Sequence, residues 1–245
     1  MINKKALILG YPGIPGDEEY CEGVYHDINN YFEHFTSING GAWNADCPES
    51  SEDEIFKELS ITKKSLFEYI NYFNKCAKYS VFIFAGHGYY TRQYGTIIQI
   101  NNTESIPVSE IKFNAPRKLF IIDCCRKISS TRLIESNLRK SISIECFSDN
   151  REVYRARFDR LLNNSVEGTI EVYSCGINEY SQDISDRGGL FSSKLLDSAI
   201  GNENLTIFKT FETAKSFVQK MSRNEQNPII VKPRMSGVSF PFYIA

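Results

Sequence analysis

Two uninterrupted apolar runs that end in reactive side chains constrain this chain most. Ser80-Val81-Phe82-Ile83-Phe84-Ala85 leads into Gly86-His87-Gly88, and Lys118-Leu119-Phe120-Ile121-Ile122 leads into Asp123-Cys124-Cys125-Arg126. A strand that is apolar on both faces turns no side to water, so it belongs inside a parallel sheet covered by helices. Strand-like and helix-like patterns alternate around these two. Ala6 to Leu9 reads as a first strand, and residues 10–23, rich in Gly, Pro and acid, as a long loop. Val24, Ile28, Tyr31, Phe32 and Phe35 recur at helical spacing, with Gly40-Gly41 as the stop. A short second strand is expected within residues 42–50, and Thr62 as N-cap of a helix reaching about Cys76. Gly95–Ile100 and Ile106–Phe113 suggest a small hairpin or excursion. Thr169–Tyr173 is a fifth strand, Leu190–Ile200 and Phe208–Met221 are helices, and Pro228–Val231 is a last strand. The expected fold class is α/β, a mainly parallel six-stranded sheet with helices on both faces.

The periodicity fails between the two halves, residues 1–126 and 166–245. Residues 127–165 are polar and mixed in charge, and are expected to be a linker. Bulk properties narrow the function. The 245 residues, 42% hydrophobic, suffice for one catalytic-sized domain with a core. A net charge of -2 gives no reason to expect a nucleic-acid partner. No apolar run approaches the roughly 20 residues that span a bilayer, so no membrane partner is expected. Seven cysteines, an odd number without framework spacing, point to free thiols in a reducing cytoplasm.

The chemistry concentrates at the ends of the two apolar runs. The carboxyl ends of adjacent parallel strands lie side by side, which is where open α/β sheets bind ligands. His87 and Cys125 can therefore converge, the imidazole taking the thiol proton and returning it to a leaving group. The amides of Gly88 and Cys125 are candidate oxyanion donors, each such donor being worth about a hundredfold to a thousandfold in rate. Taken alone, a strand-end Cys is more often a small hydrophobe, and a His between glycines a turn residue.

Phe84-Ala85-Gly86-His87-Gly88 resembles the His-Gly motif of the caspases, metacaspases and their bacterial relatives (clan CD cysteine peptidases), and Asp123-Cys124-Cys125-Arg126 resembles the metacaspase-type Asp-x-Cys motif. Asp stands where caspases have Gln, and 38 residues separate His87 from Cys125 where caspases have about 50. Gly23–Asp27 resembles the family's Asn-Asp segment at the first helix, and Val172–Cys175 with Gly189–Ser192 its small-subunit strand and helix start. The resemblance implies a caspase-like sandwich and a Cys125–His87 dyad forming a thioacyl intermediate. Cys125 is its nucleophile because the motif places that residue two after the Asp; Cys124 is then packed. It further implies an S1 pocket lined by Asp27 and Asp123, hence protein or peptide substrates with Arg or Lys at P1.

On that reading, the basic residues of the linker are candidate sites of autocleavage, Arg151, Arg155 and Arg157 leading, in competition with a merely solvated basic loop. No cofactor is expected. Calcium activation occurs in some metacaspases, without recognisable ligands here, and an upstream activator is an open partner. A zinc site from Cys21, His26, His34 and Cys47 has spacings that match no standard pattern. The competing functions are a caspase-like pseudoenzyme acting through protein contacts and another Arg/Lys-specific clan CD peptidase of clostripain type.

Overall fold

A computed structural model describes the chain except residues 46–52, 129–149, 185–186, 202 and 234–236. The elements run β1 (Lys4–Tyr11), α1 (Gly23–Thr36), β2 (Ile55–Leu59), α2 (Lys63–Cys76), β3 (Tyr79–Gly86), β4 (Gly88–Thr91), β5 (Gly95–Gln99), β6 (Ser105–Pro107) and β7 (Arg117–Cys124) in the first half. The second half contains α3 (Arg151–Asn163), β8 (Gly168–Tyr173), β9 (Asp183–Ile184), β10 (Gly188–Gly189), α4 (Leu190–Asp197), β11 (Leu205–Thr206), α5 (Ile207–Met221), β12 (Ile229–Val231) and β13 (Pro241–Tyr243).

The central sheet has six strands in the order β12-β8-β7-β3-β1-β2. All neighbours are parallel except β12, which runs antiparallel to β8. Side chains alternate across it as a strand requires. Ala6 and Ile8 join one core with Ile28, Tyr31 and Phe35 of α1, Phe158 of α3, Phe191 of α4 and Phe211 of α5. Leu7 and Leu9 join the other with Leu66, Ile70 and Phe73 of α2. The helices thus cover both faces, as the apolar runs demand. From β1 the chain crosses outward to β2 over one face, then returns past β1 to β3 over the other. Strand order therefore reverses at β1, and the crevice at the carboxyl ends of β1, β3 and β7 is the expected place for a site.

Four local expectations change. The second strand is β2, beyond residues 42–50; it lies at the sheet edge, where its half-buried Lys57 donates to Asn29 Oδ1 at 2.9 Å and Glu58 accepts from the Tyr69 hydroxyl. Helix α1 ends at Ser37, whose N–H bonds Glu33 O, and Gly40-Gly41 belongs to the following turn. The expected hairpin or excursion is a separate three-stranded sheet, β4-β5-β6. Pro228–Val231 is followed by a further strand, β13, paired with β11. The Thr62 cap agrees with expectation, its side chain accepting from Ser65 N at 3.1 Å.

The expected linker is helical over α3. Its Phe158 and Leu162 are fully buried, and polar residues anchor it to the first half. Lys4, fully buried, donates to Asp159 at 2.6 Å and lies over the Trp43 and Phe158 rings. Burial pushes the Lys4 ammonium pKa down, against the pull of Glu54 and Asp159. Arg155 pairs with both oxygens of Glu54, at 2.7 and 2.5 Å. Such pairs in the interior are costly to break, a few kcal/mol when one partner is removed. α3 is therefore part of the fold rather than a tether.

Candidate active site

Three loops meet at the crevice, each the continuation of a strand. β1 runs into Pro12, β3 into His87 and β7 into Cys125. In the β3–β7 register Gly86 faces Cys124, so His87 and Cys125 leave neighbouring strands side by side. Cys124 is buried in the second core, where a Cβ on Gly88 would meet its Sγ at 2.5 Å. Cys125, one residue on, is half-buried and opens to the crevice.

The His87 ring is held from the β1 side. Its Nε2 lies 3.1 Å from Pro12 O. A carbonyl only accepts, so Nε2 carries the proton and Nδ1 is left as the basic nitrogen of the neutral ring. Pro12 O also accepts from Cys21 N at 2.8 Å, which fixes the loop that presents it. The Tyr11 ring stands edge-on to the imidazole, centroids 6.0 Å apart. Gly13, at φ +91°, permits this approach; a Cβ there would lie 2.6 Å from Nε2. Gly88 pairs with Ile98 next to the Gln99 N→His87 O bond of 3.0 Å. By the alternation of an antiparallel ladder its N–H turns away from β5.

The Cys125 thiol donates to Ser181 O over 3.8 Å. Burial pushes its pKa up; a hydrogen bond from the Ser181 backbone to the sulfur and the Lys127 charge oppose this, while Asp123 and Glu19 reinforce it. The resting sulfur is therefore a thiol that needs a base. Arg126 anchors the same segment. Its guanidinium is buried between the Tyr173 and Tyr90 rings, 4.2 and 5.7 Å from their centroids. It donates to Thr96 Oγ1 and Cys175 O, both at 3.0 Å.

Beside Cys125, Asp27 of α1 and Asp123 of β7 converge on Gly189. Both Asp27 oxygens take the Gly189 N–H, at 2.9 and 3.0 Å. Asp123 accepts from Ser181 Oγ (2.6 Å), Ser192 Oγ (2.6 Å) and Ser192 N (3.1 Å). A Cβ on Gly189 would meet Asp123 Oδ2 at 2.5 Å, and one on Gly188, at φ +89°, would meet Asp27 Oδ1 at 2.1 Å. The glycine pair is thus what lets the backbone reach both acids. Burial pushes the Asp27 carboxyl pKa well above its usual range, and the Asp123 charge adds to this. A third acid, Asp183, is exposed and accepts from Gly23 N at 3.3 Å. Partial desolvation of its carboxyl among the neighbouring loops raises its pKa, with the Asp123 charge contributing. Neither Pro12 nor Asp183 carries a sequence signal, because one acts through its backbone and the other lies in a loop far from either motif.

Arg151, Arg155 and Arg157 are not brought to the crevice. They project from α3 to Thr36 O and Trp43 O, to Ala42 O and Glu54, and to Ala245 O respectively. Cleavage after any of them requires the helix to unwind. The other basic residues between them and Lys127 lie outside the described residues. The zinc alternative does not assemble among the described residues, which hold no group of three His, Cys, Asp or Glu able to bind a metal. Cys47 lies outside them. His34 instead stacks on Phe242 and shares Nε2 with its carbonyl at 2.9 Å, burial lowering its pKa to about 4. No described helix is long and apolar enough to cross a membrane.

No match is found among curated proteins. The family model described as the caspase domain matches residues 3–237. With a six-stranded sheet of that topology, and the His and Cys of its two motifs on adjacent strand ends, the chain belongs to the caspase-domain family of cysteine peptidases.

Proposed function

We propose that the protein is a cysteine endopeptidase that cleaves after Arg or Lys. The observation that carries this is the convergence of Asp27 and Asp123 on Gly189, directly behind the segment bearing Cys125. Two carboxylates in a buried setting suit a guanidinium or ammonium, through charge-assisted bonds that a neutral side chain cannot make. Arg is favoured over Lys because its planar fork can address both acids at once.

In the proposed reaction His87 Nδ1 removes the Cys125 proton as the sulfur attacks the scissile carbonyl carbon. The carbonyl π electrons move onto oxygen, which the Gly88 and Cys125 amides stabilise. The intermediate collapses to a thioester as the amine leaves with the proton held by His87. Water, deprotonated by the same imidazole, then releases the acid and regenerates the thiol. Pro12 O keeps the ring oriented by accepting the Nε2 proton.

Fluorogenic peptide amides with Arg, Lys, Asp or Leu at P1 test the reading. Turnover of the Arg and Lys members, lost in Cys125→Ala and lowered about a hundredfold or more in His87→Ala, is the expected result. A folded protein that turns over none of them acts as a pseudoenzyme, and turnover of the Asp member alone would put S1 elsewhere.

A further inference from the structure

Behind the crevice lies a residue that neither motif includes. Gln226 follows α5 and is fully buried, yet every polar atom of its side chain is used on the active-site wall. Nε2 donates to Ser174 O at 2.9 Å and to Ser181 Oγ at 3.2 Å, and Oε1 accepts from Gln182 N at 3.1 Å. Swapping the amide's oxygen and nitrogen would set oxygen against oxygen at Ser174 O and N–H against N–H at Gln182, so its orientation is determined by those two contacts. Its own backbone is tied on both sides to the Ser222 hydroxyl. The turn that delivers it places two non-glycine residues in succession in the left-handed region, Arg223 at φ 53° and Asn224 at φ 64°. Such positions cost on the order of 1 kcal/mol each and persist where surrounding contacts over-determine them.

The consequence runs through Ser181. Because Ser181 Oγ accepts from Gln226, its hydrogen is directed to Asp123 Oδ1, 2.6 Å away. The same residue's carbonyl receives the Cys125 thiol. We propose that Gln226 is a positioning residue for the specificity pocket: through the Ser181 hydroxyl it orients Asp123 toward a P1 cation, and through Gln182 and Ser174 it holds the wall facing Cys125. This inference rests on the Arg/Lys reading of that pocket.

The hydroxyl relay separates positioning from mere support. Ser181→Ala removes one of the donors to Asp123. Gln226→Glu keeps size and the acceptor for Gln182 N, but offers the Ser181 hydroxyl a competing carboxylate and turns it away from Asp123. A hydrogen bond to a charged group is worth about ten- to a hundredfold, so each variant should lose about that much kcat/KM on an Arg peptide amide, mainly through KM. Alkylation of Cys125 by iodoacetamide should change far less, since it uses no S1 contact. The double variant should be no worse than either single one, the signature of two groups on one path. Gln226→Met replaces Gln226→Glu in the cycle if the latter does not fold. Additive losses, an unaffected Ser181→Ala, or alkylation and cleavage falling together would overturn the positioning role. A wild-type enzyme that cleaves only after other residues overturns the pocket assignment, and this inference with it.

Discussion

Replacing Gly13 by Ala perturbs the imidazole and nothing else in the proposed machinery. The added Cβ would stand 2.6 Å from His87 Nε2 and 3.2 Å from Cδ2. Non-bonded heavy atoms settle near 3.5 Å, so the ring must retreat by roughly 0.9 Å. The ring is the free end of a half-buried side chain, and can yield without disturbing either core. In yielding it loses its 3.1 Å bond to Pro12 O, and with it the orientation of Nδ1. A misplacement of about 1 Å costs on the order of a hundredfold in rate. Gly13→Ala also strains the backbone, because φ is +91°, at about 1–2 kcal/mol. Gly16→Ala controls for that: its φ is +96°, and a Cβ there meets nothing within 4 Å. Steady-state kinetics on an Arg peptide amide, with thermal melts of both variants, should show similar small losses of stability. They should show kcat down about a hundredfold in Gly13→Ala alone, with KM held. Wild-type kcat in Gly13→Ala, or an equal loss in Gly16→Ala, would refute the role assigned to the Pro12–His87 contact.

Asp123→Asn should split two readouts that usually fall together. Removing its charge relieves one cause of the raised Cys125 pKa, so iodoacetamide alkylation at neutral pH should quicken, whereas kcat/KM on an Arg peptide should fall about thirtyfold or more for the lost ion pair; slower alkylation would contradict the electrostatics. Asp27→Asn should flatten a pH dependence: in the wild type the pocket gains charge as pH rises through the raised Asp27 pKa, so KM for Arg peptides should fall with rising pH, and in the variant it should not. Stability follows the same sign. A buried acid with a raised pKa binds its proton more tightly folded than unfolded, so the wild type loses stability as pH rises through that value, and the melting-temperature gap in favour of Asp27→Asn should widen with pH. Intact-mass analysis of wild type against Cys125→Ala should place any autocleavage after a basic residue of 127–149, and cuts after Arg151, Arg155 or Arg157 would mean that α3 opens first.

What could be read from the amino acids follows from how each residue acts. The β3 and β7 runs are legible because burial on both faces leaves no polar position, and their ends are legible because a buried strand closing on His or Cys is chemically unusual. β2 is harder, since an edge strand with Lys57 and Glu58 looks like a loop. α3 is hardest. Its five charged guanidinium and carboxylate groups from Arg151 to Arg157 and Asp159 suggest solvent, and only the folded chain shows partners such as Glu54, Lys4 and the Thr36 carbonyl waiting for them. The site divides likewise. In the proposed site, His87, Cys125, Asp27 and Asp123 act through side chains at motif positions. Pro12 acts through a carbonyl, the Gly188-Gly189 pair through missing side chains, and Gln226 through contacts 45 and 52 positions away in sequence. No local pattern encodes any of these.

One carboxylate links recognition to reactivity. Asp123 lines the proposed S1 pocket, and its charge is also among the causes holding the Cys125 thiol protonated. On the proposed specificity, a P1 cation docked between Asp27 and Asp123 would oppose that charge at the moment the scissile carbonyl arrives. The same contact that binds such a substrate would therefore lower the cost of forming the thiolate, and an unoccupied pocket would keep it high. A neutral P1 residue would lose twice, once in binding and once in leaving the thiol as unreactive as in the free enzyme. Discrimination on this basis appears in kcat as well as in KM, which is what selectivity by differential stabilisation of the transition state requires.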